Sequence, residues 1–302
     1  MGGLTAADPA VRRPPALPVL MQAGLVGLLI ALSAAAWAIT DAQMSGMDAG
    51  PGTDPGALGF FAGAWVAMMA AMMFPSIAPM VSMHLRIQVG RRERGQRAAT
   101  GASALFVAGY LVTWVGAGVL GYAVFRVGKA VTGDLFAWDR AGPYLAGGVV
   151  LAAATYQLTP LKDVCLRHCR SPIMFLMKHW RPGRRGAVRM GIVHGAWCVG
   201  CCWALMAVLF ALGVMSLALM ALIAALIAVE KLLPWREVAN RGIAALLVVL
   251  GVTLALAPGS VPGLTLPGSS SGMPAMKHGT TKAVPAMKHG SMGGGMKSAP
   301  MR

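Results

Sequence analysis

Within Gly191–Met206, GIVHGAWCVGCCWALM, stand the cysteines Cys198, Cys201 and Cys202 and the histidine His194. On a helix turning about 100° per residue, Met190, His194, Cys198 and Cys201 share one stripe, with Cys202 just beyond it. Thiols and an imidazole on one face make a ligand set for a soft cation. The setting is unusual, because Met190 to Val229 contains no Lys, Arg, Asp or Glu. A lone cysteine there would simply pack closely beside Gly191, Gly195 and Gly200. Several polar or ionisable groups on one face of an apolar segment read instead as a functional site.

Three further groups carry soft donors. Cys165 and Cys169 lie in YQLTPLKDVCLRHCRSP, between Pro160 and Pro172, a stretch long enough for about three turns of surface helix. Their spacing of four puts both sulfurs on one face, where two thiols suffice for a linear Cu(I) ion, although purely structural cysteines fit equally well. Lys162, Arg167 and Arg170 nearby are expected to lower the thiol pKa. Trp65–Ser76, WVAMMAAMMFPS, places Met68 and Met72 on one face with Met69 and Met73 on its flank, as a thioether stripe or as core packing. Pro75 and Pro79 are expected to bend or break that helix. Finally, PAMKHG occurs twice near the C-terminus, bringing Met276, His278, Met287 and His289. Thioether with imidazole suits Cu(I) in a compartment where thiols oxidise.

The elements that must position these groups follow from composition. Hydrophobic residues make up 57% of the chain and charged ones 12%, against about a quarter charged in an ordinary globular domain. An all-α, polytopic transmembrane bundle is expected. Roughly 20 apolar residues span hydrocarbon, and the charge-free runs predict about seven helices near 18–40, 58–84, 101–125, 142–161, 190–212, 217–233 and 242–257. Residues 1–17 form an N-terminal segment, 18–257 the membrane domain, and 258–302 a Gly-, Ser-, Pro-, Lys-, Met- and His-rich tail that cannot bury a core and is expected to be disordered.

The net charge of +16 is distributed as topology determinants rather than as a nucleic-acid-binding patch. Most Lys and Arg fall in alternate connections: Arg12 and Arg13, Arg86 to Arg97, Lys162 to Arg189, and Lys231 to Arg241. Basic loops stay in the cytoplasm, which puts the N-terminus inside, the tail outside, and the protein in a bacterial inner membrane. Glu230, beside Lys231 at the expected inner boundary, reads as locally paired and snorkelling.

Several blocks resemble a family of bacterial predicted metal-binding integral membrane proteins of unassigned function. They are Trp65-x-x-Met68-x-x-Ala71-Met72-Met73-x-Pro75, Tyr156-Gln157-x-Thr159-Pro160-Leu161-Lys162-x-x-Cys165-x-x-x-Cys169-Arg170-x-Pro172, Gly191-x-x-x-Gly195-x-x-Cys198-x-Gly200-Cys201-Cys202-Trp203 and Glu230-Lys231-x-x-Pro234. The resemblance implies metal binding and names no reaction; the tail lies outside these blocks.

Taken together, the chain is expected to bind a soft metal ion, Cu(I) before others, for transport or for delivery to a cuproenzyme. The expected partners are the lipid bilayer, the metal ion, a periplasmic or cytoplasmic copper protein and an oligomeric or larger membrane assembly, with no nucleic acid. No G-x-x-x-x-G-K-[ST] phosphate loop is present, and the protein is not expected to be an enzyme. The alternative is a membrane thiol-disulfide oxidoreductase using the Cys198-x-x-Cys201 pair. Against it, the expected outer loops contain no cysteine to exchange with a substrate.

Overall fold

The structure, a computed structural model, describes residues 16–44, 56–96, 98–133, 141–212, 216–233 and 235–257. Met276, His278, Met287 and His289 lie outside the described residues. Those described form helices and no strand: α1 (Ala16–Met44), α2 (Leu58–Glu93), α3 (Ala102–Thr132), α4 (Gly142–Gln157), α5 (Pro160–Arg170), α6 (Pro172–His179), α7 (Gly183–Leu212), α8 (Leu217–Leu232) and α9 (Arg236–Leu256).

By length and composition, five segments are able to cross a membrane: Val19–Gln43 in α1, all of α2, α3 and α7, and Glu237–Leu256 in α9. The spans expected near 142–161 and 217–233 correspond to α4 and α8, each 16 residues long. Several helices outrun the apolar runs that announced them. α7 begins at Gly183 and carries Arg184, Arg185 and Arg189, while α2 continues to Glu93 and α3 to Thr132. Charge ends an apolar run, but Arg and Lys are good helix formers and leave the backbone ladder intact.

Pro75 and Pro79 do not break α2, which is continuous through both. A proline removes the hydrogen bond to the carbonyl four residues earlier, which for Pro75 is that of Ala71. Ser33 of α1 donates its hydroxyl to that carbonyl at 2.6 Å, so an acceptor freed inside an apolar interior is satisfied by a neighbouring helix.

α7 is the central element, packing on α3, α4, α5 and α8. Glycines set its contact with α3. A methyl group on Gly191 would collide with the Phe106 carbonyl, one on Gly109 with the Val188 carbonyl, and one on Gly195 would stand 2.8 Å from Thr113 Cβ. Such small residues let two backbones approach closely, and here they bring Tyr110 of α3 onto the cysteine face of α7. α4 packs on α9 in the same way, through Gly147 and Gly251.

The short surface helix α5 is well specified locally. Thr159 caps it, its side chain accepting from the Lys162 backbone amide at 3.3 Å, and Pro160 follows at the first helical position. Arg167 and Arg170 occupy the last turn, where cations complement the helix dipole. The adjoining α6 is a short helix that the sequence analysis did not anticipate.

Gly191→Ala is expected to lower the thermal midpoint in detergent, since forcing volume into a packed interface costs about 1–3 kcal/mol. Gly116→Ala, at a helical position where an added methyl meets nothing within 4 Å, is expected to be neutral or slightly stabilising. Circular dichroism melts of both variants check the contrast.

Candidate metal centre

α5 meets α7 at the cysteines. The sulfurs of Cys169, Cys198 and Cys201 all lie within 4.8 Å of one another, with Cys198 and Cys201 buried and Cys169 partly so. Two sulfurs on opposite sides of an ion with metal–sulfur bonds of about 2.3 Å stand about 4.6 Å apart, and ligands in a wider shell stand closer. The spacing therefore suits one thiolate-bound soft ion held by two or three sulfurs.

Two side chains reach Cys198 that the sequence analysis did not single out. Lys231 of α8 places Nζ 3.0 Å from Cys198 Sγ, 3.4 Å from Ser76 Oγ and 3.9 Å from Met73 Sδ. Tyr110 of α3 places its hydroxyl 3.1 Å from Cys198 Sγ. On the far side of Cys198, its carbonyl accepts from the thiols of Cys201 at 3.1 Å and Cys202 at 2.9 Å. Cys198 is thus the most heavily hydrogen-bonded sulfur of the group, and both an ammonium and a phenol face it.

Lys231 does not pair with Glu230, nor does either snorkel. Both are buried. Glu230 Oε1 accepts from Lys162 Nζ at 2.6 Å and from Gln157 Nε2 at 2.8 Å. The Glu230 carbonyl accepts from Arg170 at 3.1 Å, and Arg170 also donates to the Leu233 carbonyl. Consecutive helical residues point about 100° apart, so a Glu230 turned to α4 and α5 leaves Lys231 turned to α2 and α7.

The remaining candidate ligands are distributed differently from expectation. Cys165 does not join Cys169: its sulfur packs on Gly200 of α7, where an added methyl would stand 2.9 Å from it. Burial pushes the Cys165 thiol up from its ordinary value, the reverse of the lowering expected from nearby bases, because Lys162 is turned to Glu230. The Cys169 thiol is also held up, first by hydrogen bonding to Cys198 and Cys201 and then by burial. Cys202, like Cys201, donates its S–H to the Cys198 carbonyl, but its sulfur is not among the three that lie within 4.8 Å of one another. His194, one turn before Cys198, is buried among Phe106, Tyr110 and Phe175, with ring centroids 5.8, 6.0 and 5.1 Å away. Cys165, Cys202 and His194 thus lie outside the close sulfur group. Of the methionines, Met73 reaches it through Lys231, whereas Met68 and Met72 are buried in the hydrophobic core.

A helical bundle that gathers three thiols, two of them buried, offers a site suited to a soft metal ion. Residues 62–254 match the PpoB2 family, described as a copper chaperone. The match covers more than half of the 302 residues, and the chain belongs to that family. No curated protein and no solved structure matches the chain. Family and thiol cluster together indicate copper as the metal.

Breaking the buried Lys162–Glu230 pair strands a charge, an effect worth about 3–5 kcal/mol. Glu230→Ala is therefore expected to destabilise the protein and expose Cys169 to alkylation. Glu230→Ala combined with Lys162→Met is expected to recover much of the loss. Melting curves and the rate of maleimide labelling at Cys169 read the two effects separately.

Proposed function

We propose that the protein is a membrane-embedded copper chaperone that holds Cu(I) on Cys169, Cys198 and Cys201 and passes it on, either across the bilayer or to a cuproenzyme under assembly. The observation that carries this reading is the convergence of a surface-helix thiol, Cys169, with two thiols of a long apolar helix. Thiolates select soft Cu(I) over hard cations, and burial keeps water and oxidants from the bound ion. Cys169 is partly exposed where its two partners are buried, so it is the sulfur through which an ion enters or leaves.

The membrane setting rests on the five long apolar helices and on their outward faces. Leu20, Leu120, Val124 and Val249 are each more than 60% exposed. Large contiguous apolar surface of this kind is covered by lipid or by a partner. If the 16-residue α4 and α8 cross as well, the basic connections Arg86 to Arg97 and Lys162 to Arg189 fall on one side, which supports a cytoplasmic position for α5 and Cys169 in a bacterial inner membrane. The C-terminal Met/His repeats then stand outside, as a weaker site that collects copper. The chain acts by binding and handover, with no chemical turnover of its own.

Anaerobic Cu(I) loading of purified protein tests the reading. Relative to wild type, Cys198→Ser/Cys201→Ser is expected to lose about one tightly bound ion, and Cys169→Ser to weaken it, because thiolates are the stronger soft ligands. Deletion of residues 258–302 is expected to remove only weaker sites. Unchanged stoichiometry and affinity in the double variant would falsify the proposal.

A further inference from the structure

We infer that Lys231 is the counter-charge of the thiol site and sets its preference for a monovalent over a divalent ion. The inference rests on the copper reading above and adds a selectivity device to it.

The starting point is an ammonium in an apolar interior. Lys231 is 9% exposed, on the last turn of α8. The carboxylate next to it in sequence, Glu230, is occupied by Lys162 and Gln157. Facing Lys231 Nζ are Cys198 Sγ, Ser76 Oγ and Met73 Sδ, with Tyr110 on the far side of the same sulfur. A buried charge needs a partner of opposite sign. Of the groups in contact with Nζ, a hydroxyl and a thioether supply none, and Cys198 supplies one as thiolate.

That geometry has a consequence for any ion bound there. A cation on Cys198 lies a few ångströms from a fixed positive charge, in a medium that screens it poorly. With the third sulfur kept as a neutral thiol, two thiolates, one monovalent ion and the ammonium make a neutral assembly, whereas a divalent ion on the same two thiolates leaves an uncompensated positive charge. The ammonium repels a divalent ion twice as strongly as a monovalent one. At contact distances and interior screening, that difference of one unit charge is worth well over tenfold in relative affinity. Sulfur alone does not supply such discrimination, since thiolates also bind Zn(II) tightly. When the ion binds, its second sulfur releases a proton to bulk water, and the ammonium remains as it was.

The test is the ratio of two affinities, which a general loss of folding does not shift. Dissociation constants for Cu(I) and Zn(II) are measured anaerobically, by chelator competition, on wild type, Lys231→Met, Lys231→Gln and Lys231→Arg. In Lys231→Met the Zn(II) to Cu(I) ratio of dissociation constants is expected to fall at least about tenfold. Lys231→Gln, which keeps hydrogen bonding but not charge, should fall with it, and Lys231→Arg should hold the wild-type ratio. A ratio that stays at the wild-type value in both uncharged variants overturns the inference and leaves the copper site standing. Wild type that binds no Cu(I) overturns the copper reading itself, and this inference with it.

Discussion

The site depends on one buried carboxylate. Glu230 binds Lys162 and Gln157 through its side chain and Arg170 through its backbone, so α4, α5 and α8 meet at a single residue. Without that junction, α5 would be an eleven-residue surface helix held chiefly through Cys165 and Leu166, with five of its residues polar or charged. With it, Cys169 is brought to α7 and the next residue of α8, Lys231, is turned toward Cys198. The same interaction thus assembles the third thiol and aims the ammonium. A buried ion pair is weak evidence for stability; what this one does is tie α5 to α8 beside the cysteines.

A second constraint is proximity of backbones. Gly109, Gly191 and Gly195 let α3 and α7 lie closer than side chains would allow, which carries the Tyr110 hydroxyl to Cys198. Ser33 plays a comparable part for α2 by satisfying the carbonyl that Pro75 frees, so the helix bearing Met73 and Ser76 runs unbroken past the site. Polar groups in an apolar medium tolerate few alternatives, and each of these contacts removes one. What remains is a small polar cluster whose members, on α2, α3, α5, α7 and α8, come from different parts of the chain.

The chemistry of that cluster follows from charge more than from ligand count. Sulfur explains an affinity for soft ions, and the neighbouring ammonium explains why one sulfur of three is singled out. Cys198 alone faces both Lys231 and Tyr110, and its carbonyl holds the thiols of Cys201 and Cys202. Cys169 is the least buried residue of the same group.

Much of this was legible in the sequence. The helices could be read because apolar runs and their breaks follow from local hydropathy, and the Cys198–Cys201 pair because i and i+3 positions share a helix face whatever surrounds them. The resemblance of the cysteine blocks to a metal-binding family pointed the same way as the PpoB2 match. Other features needed the tertiary structure. Cys165 and Cys169 share a face of α5, yet one packs on Gly200 and the other joins the α7 thiols, because α5 crosses α7 in a register fixed by Glu230, 61 residues beyond Cys169. Lys231 looked like an interfacial lysine beside its own carboxylate; its direction is set by which neighbour claims Glu230, a long-range choice that local pattern does not encode. Periodicity specifies which side chains share a helix face, whereas the packing of separate helices decides what that face meets.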